Sequence, residues 1–337
     1  MPRSVRWRIS SWRLPEVRWL SSLGNLIRNE NMKIYRRPRT WLMVAFLVLA
    51  LGLMSGLMKW DESRSNPADW QQNLTQQNAH YQQQLADNKD LDSDYKDYLT
   101  NEIKINEYYL AHDLNPAALS LWDYVNNSAA LIMLITILTV IVAADMIAAE
   151  FTWGTIKLLL VGPASRSKIM LSKYISTMTF ALLLLILSFV LAFAAGGVLQ
   201  GFDGLSLPHL AVGADGLVHE SSMIADSLQK YGYAVVSLFM YVTLAFMISA
   251  AFRSSSMAIA FSLLFMLVGN TITMLLSGYE WSKYLLFANI DLTQYLPGNS
   301  PLRPDMTLGF SIMMLAAYYV VFQIVAWTLF TKRDVAA

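Results

Sequence analysis

Six long, predominantly apolar runs constrain this chain more than any other feature of its sequence. A helix needs about 20 apolar residues to cross a hydrocarbon core about 30 Å thick, because each residue rises about 1.5 Å. Apolar residues make up 55% of the 337 residues and charged residues only 15%, whereas roughly a quarter of a soluble domain is charged. We therefore predict an all-α polytopic membrane protein. Its six transmembrane helices are predicted at residues 40–58, 124–147, 174–200, 231–252, 256–277 and 306–330.

The basic residues between the spans alternate in number, and this alternation predicts the orientation of the chain. Residues 1–39 carry ten Lys or Arg, whereas residues 59–123 carry five against twelve acids. Residues 148–173 carry four bases against one acid, and residues 201–230 carry one base against four acids. We expect both termini to be cytoplasmic. The cytoplasmic segments are then 1–39, 148–173, 253–255 and 331–337, and the extracellular segments are 59–123, 201–230 and the near-neutral 278–305.

Three segments outside the spans have helical patterns of their own. In residues 1–39, a basic tail precedes an amphipathic helix that we expect to lie on the inner membrane surface. The charged residues assigned to this interfacial helix are Glu30, Lys33, Arg36 and Arg37. In residues 59–123, apolar residues recur at helical spacing before and after residues 88–94, which predicts an extracellular helical hairpin. Interfacial helices are also expected within residues 278–305.

The residue inventory excludes several kinds of chemistry. Because the chain has no cysteine, it forms no disulfide, zinc–thiolate site or thiol nucleophile. It contains no Gly-x-x-x-x-Gly-Lys-Ser/Thr loop for a nucleotide, no His-Glu-x-x-His metal motif and no Gly-x-Ser-x-Gly elbow. Its four histidines all fall in predicted extracellular loops. We therefore expect no enzyme activity, and no metal or cofactor bound by this chain.

A few polar residues lie inside the predicted spans. Asp145 is the one clear charge, near the cytoplasmic end of the second span. An intramembrane carboxylate either marks an ion pathway or pairs with a base nearby, and we favour pairing for Asp145. In the fifth span, Asn270, Thr271 and Thr273 either line a pathway or hydrogen-bond another helix.

Residues 150–173 form the most distinctive segment, a charged stretch with Gly and Pro between two spans. Its pattern is Glu-x-x-x-Gly-Thr-x-x-x-Leu-Leu-x-x-Pro-x-x-Arg-x-x-x-x-x-x-Lys. A simple connector between membrane helices needs only a few polar residues. The acid, the four bases and the Leu-rich face of this segment therefore indicate contact with a soluble partner. An ordinary basic inner loop is the alternative, but it leaves Glu150 and the Leu run unexplained.

This segment, in its place between spans two and three, resembles the permease subunits of ABC-2 type transporters, such as bacterial efflux permeases for peptides, antibiotics or sodium. Residues 29–37 are similar to the inner-surface helix that precedes the first span in that family, and residues 330–335 are similar to its C-terminal ending. The resemblance implies six helices per subunit and two permease subunits, identical or different, per transporter. It also implies two copies of a separate cytosolic ATPase subunit, which binds the ATP and Mg²⁺, and a coupling helix in residues 148–173 that docks on it.

The resemblance carries specific positions over to this chain. The matched positions are Glu150, Gly154, Thr155, Leu159, Pro163, Arg166 and Lys173. An apolar ridge of Ile156, Leu159 and Leu160 can enter a groove on the ATPase. Lys157, Arg166 and Lys168 can pair with acids around the rim of that groove. Gly154 and Pro163 are expected to bound the short helix.

We therefore expect the membrane-spanning permease subunit of an ATP-driven exporter in a bacterial plasma membrane. Its expected partners are a cytosolic ATPase, a second permease and membrane lipid, and not nucleic acid. The nearly uncharged spans favour amphiphilic or lipid-like cargo. The alternative is a membrane sensor or scaffold with an extracellular ligand-binding hairpin, which needs no ATPase. An intramembrane enzyme is disfavoured because His, Cys and paired carboxylates are absent from the predicted spans.

Overall fold

The computed structural model describes residues 22–64, 69–87, 92–116, 119–161, 164–202, 208–213, 215–296 and 299–332. Within these ranges, six helical segments are long and apolar enough to cross a membrane. They are Pro38–Arg64, Leu121–Thr152, Arg166–Gln200, Met223–Ala251, Ser255–Leu275 and Leu308–Lys332. The prediction of an all-α polytopic membrane protein with six spans is confirmed.

The helices and strands are numbered here in chain order. The helices are α1 (Leu23–Tyr35), α2 (Pro38–Arg64), α3 (Trp70–Asp87), α4 (Ser93–Ala111), α5 (Leu121–Ser128), α6 (Ile132–Thr152), α7 (Ile156–Val161), α8 (Arg166–Gln200), α9 (Met223–Ala251), α10 (Ser255–Leu275), α11 (Leu286–Asn289) and α12 (Leu308–Lys332). Strands β1 (Pro208–Val212) and β2 (Val218–Ser222) pair antiparallel. One 3₁₀ turn, Ala129–Leu131, joins α5 to α6 in the second span, and two others, Glu280–Tyr284 and Leu292–Tyr295, flank α11.

The two ends of the bundle carry different structures. The basic end contains α1, α7, the first turns of α8 and the last turn of α12. Two hydrogen bonds join these parts. Arg166 of α8 donates to the carbonyl of Thr331 of α12 (2.8 Å), and Lys173 of α8 donates to Glu30 of α1 (2.9 Å). The opposite end, called the hairpin end, carries the α3–α4 pair and the β1–β2 hairpin. Tyr108 of α4 joins the two hairpins by donating to Glu220 of β2 (2.8 Å).

The second and fourth spans form the centre of the bundle. In their most apolar stretches, 61% and 67% of the residues are buried, against 22% in α2 and α10 and 17% in α12. On the peripheral helices, apolar side chains such as Leu42 and Leu275 are 73% and 78% exposed. Rows of exposed apolar side chains are stable where lipid replaces water as the surrounding solvent. The peripheral helices therefore present membrane-facing surfaces.

Several boundaries differ from the predicted ones. α6 extends to Thr152 and α8 begins at Arg166, so both helices reach into the predicted segment 148–173. Ser165 caps α8 by accepting a hydrogen bond from the backbone N–H of Lys168, so a polar residue sets the start of that helix. The predicted loop 201–230 instead contains the β1–β2 hairpin and the first two turns of α9.

Candidate functional site at the basic end

The linker between α6 and α8 projects a short helix from the basic end. Gly154 ends α6 with a backbone φ of +70°, a left-handed conformation that favours glycine. This turn separates α7 from α6, and α7 is followed by the capped start of α8. Gly154 thus acts at the N-terminal boundary predicted for the short helix, while Pro163 lies outside the described residues.

Four charged residues form a buried cluster beneath this linker, called the Lys173 cluster: Glu30, Lys33, Glu150 and Lys173. The ammonium of Lys173 donates to Glu30 (2.9 Å) and to Glu150 (2.7 Å). Lys33 donates to the same two carboxylates, at 2.8 Å and 3.3 Å. The side chain of Lys173 is only 2% exposed. Two acids and two bases give the cluster no net charge, which is what makes its burial tolerable.

The helices bring these residues together through simple periodicity. Lys173 lies two turns into α8, on the buried face that also includes Ile169, Ser176 and Phe180. Glu30 and Lys33 are one turn apart on α1, which packs against α8 and is also joined to it by a hydrogen bond from Ser176 to the carbonyl of Ile27 (3.1 Å). The predicted interfacial helix is therefore attached to the third span.

Electrostatics within the cluster keep its partly exposed member charged. Burial lowers the pKa of Lys33, but Glu30 and Glu150 more than offset this effect, so the pKa lies above its ordinary value. Glu150 also accepts a hydrogen bond from the hydroxyl of Thr155, just before α7. The start of the short helix is thus joined directly to the Lys173 cluster.

A second group, called the Asp145 cluster, consists of Asp145 and the three residues around its carboxylate: Arg37, Arg39 and Ser255. Arg37 donates to Asp145 at 2.7 Å, and Arg39 and Ser255 donate to it as well. Asp145 is therefore paired with bases of the α1–α2 region and with the start of α10, as the sequence favoured. Arg37 also stacks over the ring of Trp153, 4.7 Å from its centre.

The linker exposes a small mixed surface. Trp153 is 59% exposed and Leu158 is 79% exposed, and Lys157 lies on the same exposed part of the linker. Ile156 is 5% exposed, so its assignment to an outward apolar ridge is wrong, because it packs into the protein core. Leu159 is half-buried. The side chain of Leu160 lies outside the described residues.

The remaining predicted residues are dispersed. Arg36 is exposed at the end of α1, and Arg166 ties α8 to α12. Asn270 of α10 donates to the hydroxyl of Tyr241 on α9 (3.1 Å), which is an interhelical bond. Thr271 donates to its own helix at Leu267, and Thr273 is buried. The described residues include no group of three His, Asp or Glu placed to hold a metal ion.

The sequence placed Glu30 and Lys33 in one predicted unit and Glu150 and Lys173 in another. The structure joins these two pairs in one cluster. The sequence does contain a signal for this cluster. When α8 starts after its Ser165 cap, Lys173 lies four residues after Ile169 and three before Ser176, and so on the same buried face of the helix. A base on such a face requires an acid from another helix.

Comparisons with known proteins give a family. Residues 96–336 match the family described as protein of unknown function (DUF2705). The chain is 38% identical over 315 residues to "Uncharacterized protein YhcI" of Bacillus subtilis (strain 168), an alignment that covers 93% of this chain and 99% of that protein. It is 30% identical over 214 residues to "Uncharacterized membrane protein YdbK" of the same strain, covering 63% and 82% of the two chains. Because the family match extends over more than half of the sequence, this chain belongs to the DUF2705 family.

Proposed function

We propose that this chain is the membrane-spanning permease subunit of an ATP-driven exporter of the ABC-2 type. It works in a bacterial plasma membrane, together with a second permease and a separate cytosolic ATPase. The supporting observation is the short helix α7, whose Lys157 and Leu158 are exposed at the basic end, while Thr155 at its base is hydrogen-bonded to the Lys173 cluster. A linker that only connected two membrane spans would need no such attachment.

The docking surface consists of Trp153, Lys157 and Leu158. An exposed Trp and Leu supply apolar area that a groove can cover, and an adjacent Lys pairs with an acid at its edge. Lys157 and Leu158 supply the basic and apolar groups expected of a coupling helix, with Leu158 in the place assigned to Ile156, whereas Trp153 was not among the predicted residues.

Movement of this surface reaches several helices through direct contacts. Thr155 and Glu150 connect the linker to Lys173 on α8 and, through Glu30, to α1. In the Asp145 cluster, Arg37 contacts both Trp153 and Asp145, and so connects the linker to the turn between α1 and α2. Separating one member of a buried ion pair costs about 3–5 kcal/mol. The linker and the attached helix ends therefore move together when ATP binding draws the two ATPase subunits closed. We expect this movement to switch access to the pathway from one face of the membrane to the other. The switch drives transport only if the cargo binds the two states with different affinity.

The first test identifies the partner. A photo-crosslinking amino acid replaces Leu158, and in a matched control it replaces Leu217, which is 63% exposed at the hairpin end. We expect Leu158 to crosslink to a cytosolic protein with a Gly-x-x-x-x-Gly-Lys-Ser/Thr nucleotide loop, and Leu217 not to. Recovery of no such ATPase from Leu158 would instead support the sensor or scaffold alternative, which requires none.

The second test measures coupling in the purified complex. Leu158→Asp places a charge in the proposed groove contact, and we expect at least a tenfold loss of cargo-stimulated ATP hydrolysis, because burying an unpaired carboxylate costs several kcal/mol. Leu217→Asp makes the same change at the far end and should leave hydrolysis unchanged. Wild-type hydrolysis by the Leu158 variant would show that α7 does not couple.

A further inference from the structure

Two adjoining cavities lie at the hairpin end, away from the basic-end site. The first, called the helix cavity, has a volume of about 440 Å³ and lies among α6, α9, α10, residues 290–296 and Asn299. The second, called the vestibule, has a volume of about 480 Å³ and lies between α4, β1 and the start of α9. Lys230, Leu296 and Asn299 line both. Each volume is within the range of roughly 300–1,000 Å³ common for ligand sites.

The helix cavity has an apolar wall with few unmet polar groups. Its apolar lining includes Ile132, Met133, Ala234, Met266 and Ile290. Its polar lining includes two charged residues, Lys230 and Asp291. Asp291 accepts hydrogen bonds from the backbone N–H and the hydroxyl of Thr293. Asn270 donates to Tyr241, and Ser237 donates to the carbonyl of Ile290. A hydrocarbon can cover the apolar part of this wall while Asp291, Asn270 and Ser237 keep their partners, and Lys230 lies where this cavity meets the vestibule.

The vestibule is charged, and most of its charges are negative. Asp97, Glu102 and Asp226 line it together with one base, Lys230. Asp226 accepts a hydrogen bond from Ser221 (2.6 Å). Glu102 and Lys230 make no ion pair with any other described residue. Among the described residues that line the vestibule, acids outnumber bases, which favours a positively charged group in this space.

We propose that the two cavities together bind a single-chain cationic amphiphile, with its tail in the helix cavity and its cationic head in the vestibule beside Glu102. The division between an apolar and an acidic chamber matches the division of such a molecule into tail and head. Glu102 makes no ion pair with a described base, and burial raises the pKa of its carboxyl group; a cationic head would supply the missing partner. The exposed ring of Tyr98 on the same wall offers a further contact for a cation.

The role of this ligand as cargo rests on the proposed function, whereas its binding does not. Failure to crosslink an ATPase would remove the transport role and leave the site intact. Failure to bind the amphiphile would remove the site and leave the coupling surface intact.

Binding is measured on the purified chain in nanodiscs of zwitterionic lipid. Because the chain has no cysteine, Ser300→Cys at the vestibule wall carries a single environment-sensitive fluorophore. Dodecyltrimethylammonium and dodecyl sulfate share a tail and differ in the charge of the head. We expect a saturable response to the ammonium compound and only a weak, non-saturable one to the sulfate. Equal responses to both would overturn the proposal.

Three variants and two controls test the geometry. Glu102→Gln should weaken binding of the ammonium probe about tenfold, whereas Lys230→Met should strengthen it because a like charge is removed. Ala130→Phe fills the helix cavity and should abolish saturable binding. Glu107→Gln, exposed on the same helix as Glu102, and Ala316→Phe, exposed on α12, should bind as the parent does. Unchanged binding in Glu102→Gln or Ala130→Phe, with thermal unfolding confirming the fold, would contradict the assignment.

Discussion

At the scale of the residue, the Lys173 cluster places a strict physical constraint on the fold. Lys173 is nearly inaccessible, and its ammonium is balanced by two carboxylates that come from different helices. The sequence identified all four members for other reasons, Glu150 and Lys173 as matched motif positions and Glu30 and Lys33 as charged residues of an interfacial helix. It could not predict their meeting, because that depends on how α1 packs against α8.

Replacing Lys173 by Met removes one base and leaves Glu30 and Glu150 buried with only Lys33 between them. We expect the free energy of unfolding to fall by about 3–5 kcal/mol, because an uncompensated buried charge remains. The double variant Lys173→Met with Glu150→Gln should recover much of this loss, since Glu30 and Lys33 still form a neutral pair. Thermal unfolding in detergent measures both variants.

Lys168→Met is the control for this prediction, because Lys168 is exposed on the same helix. It should change the unfolding temperature by no more than about 1–2 °C, since exposed charges contribute little. If the Lys173 variant unfolds at the same temperature as the Lys168 variant, the cluster is not stabilised by its charge balance.

At the scale of the element, hydropathy located the spans but not their ends. The apolar runs identify the buried or lipid-facing turns, whereas a helix begins where a cap satisfies its free N–H groups, as Ser165 does for α8. The β1–β2 hairpin had no clear signal, because Val218–Ser222 does not alternate apolar with polar residues. Its turn depends instead on Gly216 at φ +73° and on Asp215, which accepts from the N–H of Leu217 (3.1 Å).

The contact between α10 and α11 depends on one glycine. A methyl group at Gly269 would lie 2.2 Å from the ring of Phe287, so Gly269→Ala must displace that ring. We expect a loss of about 1–3 kcal/mol in unfolding free energy, the usual cost of overpacking. Adding Phe287→Leu should restore at least half of it, as measured by thermal unfolding.

Gly232→Ala serves as the comparison for that experiment. Gly232 is in the interior of α9 with open space around it, so alanine should stabilise the helix slightly. If Gly269→Ala were equally harmless, or if Phe287→Leu made it worse, the steric contact would not be the cause.

At the scale of the whole molecule, the alternating charge of the loops predicts which end faces the cytoplasm. In the part of the chain that the structure describes, the basic end carries Lys157 and Arg166 as well as Arg36 and Arg37 before α2, and the hairpin end carries most of the acids. Basic loops remain on the cytoplasmic side during insertion. Neither helix packing nor the family match depends on this orientation, so it stays a prediction with its own measurement.

Single cysteines at Leu158 and Leu217 test the orientation without background, because no other cysteine is present. Both positions are well exposed, at opposite ends of the bundle. A membrane-impermeant maleimide on intact cells should label Leu217→Cys and spare Leu158→Cys, and both should react after permeabilisation. The reverse pattern would place α7 outside the cell, where no cytosolic ATPase can reach it.

The unequal lengths of the spans have a consequence for the membrane itself. α8 has 35 residues and α10 has 21, so at 1.5 Å per residue they extend about 52 Å and about 32 Å. The length of α10 matches a hydrocarbon layer about 30 Å thick, whereas α8 is longer than this layer is thick. With Gln200 placed at the outer edge of the hydrocarbon layer, Lys173 lies about 40 Å away along α8, and we expect its ion pairs to lie at headgroup depth, not among the acyl chains. Changes in acyl-chain length should thus alter the immersion of α10 first, while salt and anionic headgroups should act on the overhanging, ion-paired part of α8.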